Sequence, residues 1–303
     1  MGSCVEFPLW RSLLYVPVNV EKYVDKAHTR GADCIQLDLE DSVPAAEKEH
    51  ARSLVEGAAG RVRRGGADVI VRINRPLSMA VRDIEAAVGE SVNGLAISKV
   101  ESAGHIHLLD ELVSELEIQR HLPLGHTRFI AMIETPGAYF QMPAIAASSG
   151  RLVGMNVGGE DFATEAGMEP TEETLLMPKQ QMILAARAAG LMPLGFIASV
   201  ASFEDRGAFR AMVRRSRQFG FMGASCIHPG QVPIVNEEYS PSTAEVAFAT
   251  RVVDEGAAAA AAGRASFAID GKMIDVPVVR RARQLLDRHA AIRARDAAAG
   301  RSS

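Results

Sequence analysis

Residues 128–163 read RFIAMIETPGAYFQMPAIAASSGRLVGMNVGGEDFA and state one phrase twice: an apolar run, a carboxylate near its end, and a glycine-bearing turn. The two runs, Arg128–Glu134 and Leu152–Val157, are short, apolar and bounded by turn residues, the pattern of strands buried on both faces. Working outward, Ser12–Val16, Cys34–Leu39, Val69–Ile73, Gly94–Lys99, Pro193–Ala198 and Ala224–His228 repeat the signal. The starts lie about 30 residues apart on average, the length of one strand with its crossover helix.

Helical periodicity fills the intervals. Ala103–Ile118 shows apolar positions at Ile106, Leu108, Leu109, Leu112, Val113 and Leu116, and Thr174–Ala189 ends before Gly190. A further helix is expected over Ser202–Phe219, with Ser202 as its N-cap. Eight strands alternating with helices favour a closed (β/α)8 TIM barrel; an open doubly wound sheet is the alternative. Beyond His228 an alanine-rich helix over Thr243–Ala262, a short segment Ala265–Asp275 and a basic helix over Val276–Arg295 exceed one barrel helix. The division is therefore a barrel over 11–240 and a C-terminal helical extension over 241–295 that packs on a neighbouring subunit, with a frayed tail over 296–303.

Composition bounds the function. Of 303 residues, 48% are hydrophobic and 23% charged, so a large core is available. Thirty-three basic against 37 acidic residues give a net charge of −4, which offers no field for nucleic acid. No run is long and apolar enough to cross a membrane. The N-terminus is a poor secretion signal. Cys4, Cys34 and Cys226 show neither metal spacing nor even pairing. A cytoplasmic enzyme acting on a small molecule is the expectation.

In such a barrel, reactive groups collect where strands end. Strand two ends in Asp38, Glu40 and Asp41; strand three in Arg72 and Asn74; strand four in Lys99; strand five in Glu134; strand six in Glu160 and Asp161; strand eight in His228. Converging carboxylates require a cation, and an oxygen-rich set suits Mg²⁺, with Mn²⁺ as the substitute. Glu134 and Asp161 are the best pair, although Asp161 or Asp41 could instead serve a helix N-terminus. Arg72 either grips a substrate carboxylate or pairs internally with Glu40 or Asp41. Lys99 as a Schiff-base lysine is disfavoured, because neighbouring carboxylates keep it protonated. His228 is a general base or, in preference, a structural histidine; Cys226 is core. Gly158 and Gly159 resemble a phosphate loop only loosely.

The strings RSLLYVP (11–17), LDLEDSV (37–43), VRIN (71–74), KVESA (99–103), IETPGA (133–138), GGEDFA (158–163), CIHPGQ (226–231) and DGKMIDVP (270–277) resemble, in order, the citrate lyase β-subunit-like group of the HpcH/HpaI aldolase superfamily. The resemblance implies a barrel assembled as a homotrimer or hexamer. It implies Mg²⁺ on Glu134 and Asp161, a substrate acid on Arg72, and Glu40 and Asp41 behind them. It also associates Arg11 with the acyl-CoA side and makes Asp275 an acid/base residue reaching a neighbour's site. The implied reaction cleaves or forms a 3-hydroxyacyl-CoA of the malyl, citramalyl or citryl type, giving an acyl-CoA and a 2-keto acid. The chain departs from the group at Val18, Met222 and Ala224, positions that bear on coenzyme A recognition. An aldolase for free keto or hydroxy acids, or a non-catalytic subunit, are the alternatives.

Overall fold

The computed structural model describes residues 8–198 and 205–301, so Cys4 and Ser202 lie outside the described residues. The chain forms two compact units, one through Tyr239 and one from Ser240.

In the first unit, strands and helices alternate: β1 (Ser12–Pro17), α1 (Glu21–Ala27), β2 (Cys34–Asp38), α2 (Lys48–Val62), β3 (Asp68–Ile73), α3 (Leu77–Ala87), β4 (Gly94–Ile97) and α4 (Ala103–Gln119). Next come β5 (Arg128–Ile133), α5 (Pro136–Tyr139), α6 (Met142–Ala146), β6 (Leu152–Val157), α7 (Gly159–Ala166) and α8 (Glu172–Ala188). The unit ends with β7 (Met192–Pro193), α9 (Arg206–Phe219), β8 (Ala224–Cys226) and α10 (Val232–Glu238). All eight strands pair in parallel in the order β7-β6-β5-β4-β3-β2-β1-β8. The last seam closes between Leu194 and Gly223: Gly195 N–H donates to the Gly223 carbonyl (2.8 Å) and Met222 N–H to that of Pro193 (2.9 Å). Only glycine fits at 223, since a Cβ there would sit 1.9 Å from the Trp10 carbonyl oxygen. The result is a (β/α)8 barrel.

Strand alternation sorts the core into two. Leu14, Ile35, Leu37, Val69, Val71, Leu95, Phe129 and Ala131 face the helices. Leu13, Cys34, Ile70, Ala96, Ile130, Met132, Met192 and Leu194 fill the barrel interior, with Trp10 packed among them. Each fully buried Leu or Ile contributes about 1.5–3 kcal/mol, so this packing rather than helix propensity fixes the frame.

The expected β7 over Pro193–Ala198 is cut to two residues, because Gly195 takes φ 133° and turns the chain out of the ladder. The helix expected from Ser202 begins at Arg206, where the Asp205 carboxylate accepts from the N–H groups of Gly207 (2.9 Å) and Ala208 (3.0 Å).

The second unit holds α11 (Thr243–Ala261), the antiparallel hairpin β9 (Phe267–Ile269) and β10 (Lys272–Ile274), and α12 (Val276–Ala298). The hairpin turns at Asp270-Gly271, with φ 50° and 76°, the positive-φ pair a two-residue turn requires. Ala249, Val252, Ile269, Ile274 and Ala282 form its core. The last helix runs on to Ala298, correcting the frayed tail expected from Asp296: the alanines at 297 and 298 favour helix.

Candidate active site

The C-terminal strand ends build one charged cluster. Asp38 closes β2 and stands in register with Arg72 on β3. Its two oxygens accept from Arg72 Nε and Nη2, both at 2.7 Å, a bidentate pair. The remaining Arg72 nitrogen, Nη1, donates to Asp41 (3.0 Å) and makes a charge contact of 2.6 Å with Glu40. Burial raises the Asp38 carboxyl, but the Arg72 guanidinium more than offsets this and holds it below its ordinary value. The arginine also lies 4.9 Å from the centre of the Tyr15 ring. Tyr15 is half-buried, and desolvation pushes its hydroxyl up to about 12.

Lys99, just past β4, binds the cluster's two halves. It is a non-glycine residue at φ 47°, a left-handed conformation that costs about 1–3 kcal/mol. That turn aims its backbone N–H at Glu134 Oε2 (2.7 Å) while its ammonium reaches Glu40 (2.8 Å) and Asp161 (3.3 Å). Desolvation opposes its charge, yet Glu40, Glu134 and Asp161 raise its pKa well above the usual lysine value. It is an ammonium, unsuited to Schiff-base attack.

Glu134 ends β5 and is only 2% exposed. Burial, then the charges of Glu40 and Asp161, push its carboxyl up to about 8. It fits because position 158 is glycine: a Cβ there would stand 2.6 Å from Glu134 Oε1. The glycine pair after β6 thus makes room for a carboxylate rather than cradling a phosphate. Asp161 lies in the first turn of α7, whose N-cap is Gly158, and its side chain is 39% exposed. Asp38, Glu40, Asp41, Glu134 and Asp161 therefore face two cations, Arg72 and Lys99, leaving an excess of negative charge. Among the described residues no three His, Cys, Asp or Glu side chains gather into a closed metal cage. Glu134 and Asp161 could hold a hard cation as a pair, with water and substrate oxygens as its other ligands.

These groups open into a cavity of about 200 Å³ lined by Tyr15, Arg72, Glu134, Asn156, Asp161 and Lys179 among others. That is below the ~300–1,000 Å³ of a drug-sized cleft, a size that suits a small oxyacid. Lys179, from mid-α8, is buried, and its ammonium donates to the Ala198 carbonyl (3.1 Å). Burial lowers its pKa to about 8 against the opposing pull of Glu160 and Glu172.

The structure thus brings Arg72, Glu134, Asp161, Glu40 and Asp41 together. Arg11 is not among them. It precedes β1, at the opposite end of the barrel, where Asp33 holds its Nε at 2.7 Å and Nη2 at 2.9 Å. Met222 lies before β8, against the barrel's interior cluster, and Ala224 opens that strand fully buried, so neither departure alters the cavity wall. Val18 is buried without positive φ, so its turn needs no glycine. His228 caps a short 3-10 turn, its Nδ1 accepting from Gly230 N–H (3.1 Å). Cys226 is buried, and burial raises its thiol pKa. Asp275 belongs to the second unit, where it caps α12 by accepting from Val278 N–H (3.3 Å).

Residues 11–229 match the family model described as HpcH/HpaI aldolase/citrate lyase. The chain is 33% identical over 281 residues to the citrate lyase subunit beta of Leuconostoc mesenteroides subsp. cremoris, covering 92% of each chain. It is 34% identical over 288 residues to a (3S)-malyl-CoA thioesterase of Cereibacter sphaeroides, covering 94% of this chain and 96% of that one. Among solved structures it is similar to protein CitE from Mycobacterium tuberculosis in complex with magnesium, acetoacetate and coenzyme A. That match has a TM-score of 0.74 and 29% identity, and it covers 92% of this chain and 97% of that one.

Proposed function

The chain belongs to the HpcH/HpaI aldolase/citrate lyase family, which includes carbon–carbon lyases, and from that premise we propose a Mg²⁺-dependent lyase acting on a 3-hydroxyacyl-CoA. Substrates of the malyl, citramalyl or citryl type would yield an acyl-CoA and a 2-keto acid, or be formed from them. The observation carrying this reading is the convergence of Glu134 and Asp161 on Lys99, beside a cavity of oxyacid size. The M. tuberculosis relative, crystallised with magnesium, acetoacetate and coenzyme A, supports the ligand classes.

Glu134 and Asp161 would hold the ion. When bound, it supplies positive charge to the oxygen that alternates between hydroxyl and carbonyl. Arg72, held by Asp38 along its Nε–Nη2 edge and by Glu40 and Asp41 at Nη1, would take the acid group in exchange for Asp41, the most exposed of the three, and so set the substrate's orientation. In cleavage the hydroxyl would pass its proton to the Asp275 carboxylate of a neighbouring copy as the adjacent C–C bond breaks, the bond's electron pair passing to the thioester as an enolate. Asp275 of a neighbouring copy in a homotrimer or hexamer returns a proton to that carbon. Glu40 and Asp41 keep Arg72 and Lys99 charged and placed.

The cavity's small volume favours a second reading, an aldolase for free keto acids that needs no coenzyme A. Turnover of the three thioesters with Mg²⁺, with titrations of acetyl-CoA and pyruvate, tests both. The lyase reading expects thioester cleavage that is lost with chelator and in Glu134→Ala. Pyruvate binding without acetyl-CoA binding would favour the free-acid enzyme.

A further inference from the structure

We infer that Lys179 binds a second, far carboxylate of the substrate's acid, so that the 2-keto acid this chain handles is a diacid; this rests on the lyase reading of the same cavity. In the barrel order β3 and β7 are four strands apart, on opposite walls. Arg72 stands on β3, and Lys179 reaches from α8 to the Ala198 carbonyl (3.1 Å), just beyond β7. Arg72, Lys179, Ala198 and Gly159 all line the cavity. A Cβ at Gly159 would stand 3.5 Å from Lys179 Nζ, so the tip of the lysine lies among those lining residues. Glu134 at the end of β5 and Asp161 after β6 come between the two cations around the barrel.

The two cations differ in what they already hold. All three Arg72 nitrogens are engaged, by Asp38, Glu40 and Asp41. Lys179 has three N–H donors and one acceptor for them, the Ala198 carbonyl. Among the described residues no carboxylate forms an ion pair with it; Glu160 and Glu172 act on it from a distance. It is 5% exposed, and a buried charge is costly unless paired. With its pKa at about 8, the ammonium form still predominates at pH 7. The cavity thus holds a cation short of a counter-ion on the wall facing Arg72. A mono-acid anchored on Arg72 leaves that shortage in place, whereas a small diacid spanning the cavity removes it. Of the three thioester types, the citryl one releases such an acid.

The test compares two keto acids of equal chain length. Oxaloacetate carries the far carboxylate, and 2-oxobutanoate carries a methyl group in its place. Calorimetric titration of the full-length protein loaded with Mg²⁺ should give the diacid at least about tenfold tighter binding. Lys179→Met should bring the ratio of the two affinities within about threefold, whatever it does to each alone. Lys179→Gln should do the same, and thermal unfolding shows which variants are folded. Equal binding of both acids by the unaltered protein, or a ratio that survives in a folded variant, overturns the role of Lys179 and leaves the lyase reading standing. Failure of both variants to fold would assign the ammonium to the fold and overturn it too. Binding of neither acid by the unaltered protein, with Mg²⁺ present, overturns both readings.

Discussion

Gly158 and Glu134 compete for one volume: the side chain of the glutamate occupies the space where any other residue at 158 would place its Cβ, 2.6 Å from Oε1. The carboxylate's position is thus written partly in a residue that has no side chain. Gly158→Ala should push Glu134 off Lys99 and lower Mg²⁺ affinity by about 10–100-fold, the scale of lost support around a metal ligand. Calorimetric titration with Mg²⁺ checks this, and unchanged affinity in a folded variant would refute it.

Glu134 also sets a pH dependence. Its carboxyl is pushed up to about 8, so below that pH a proton occupies the ligand. Metal and proton compete, so Mg²⁺ affinity should rise by up to about tenfold per pH unit toward pH 8 and then level off. The metal-free fold runs the other way. Between the ordinary glutamate value and about 8 the native state binds more protons than the unfolded one, so stability falls as pH rises through that window. A flat Mg²⁺ affinity from pH 6 to 9 would contradict the assignment.

Lys179 illustrates what sequence reading misses. It lies mid-helix in LLMPKQQ, with no strand-end position to announce it, and Asn156 and Tyr15 were passed over inside runs read only as apolar. The barrel itself was legible because short runs recurred at βα spacing. Glu134, Asp161 and Arg72 were legible because strand ends are where such groups gather. The partner that fixes Arg72 was not: Asp38 needed the β2–β3 register, whereas sequence proximity pointed to Glu40 and Asp41.

From its burial follows a stability prediction. Lys179 has its pKa lowered to about 8, so at pH 7 the fold carries a charged, desolvated ammonium. Lys179→Met should stabilise the protein at pH 7 by about 2–3 kcal/mol. The advantage should be complete below pH 8 and shrink toward the ordinary lysine value, where both states are losing the proton. Thermal unfolding at pH 7 and pH 10 measures it; a destabilised variant at pH 7 would show that the ammonium is needed by the fold.

The proposed role of Asp275 as an acid from a neighbouring copy predicts complementation. Asp275→Ala and Glu134→Ala, each expected to lose at least about 100-fold in turnover, should regain part of it when mixed under conditions of subunit exchange. Mass spectrometry confirms the mixed oligomers, and silence despite exchange would defeat the shared arrangement.

The left-handed turn at Lys99 has a consequence for loading. One residue already supplies positive charge to Glu40 and Asp161 and a backbone donor to Glu134. At the proposed Mg²⁺ site an arriving divalent ion would swap places with a resident counter-ion instead of quenching a naked nest of acids. The barrel would then mature and await an ion without tearing at its own mouth, and the displaced ammonium would keep its hold on Glu40.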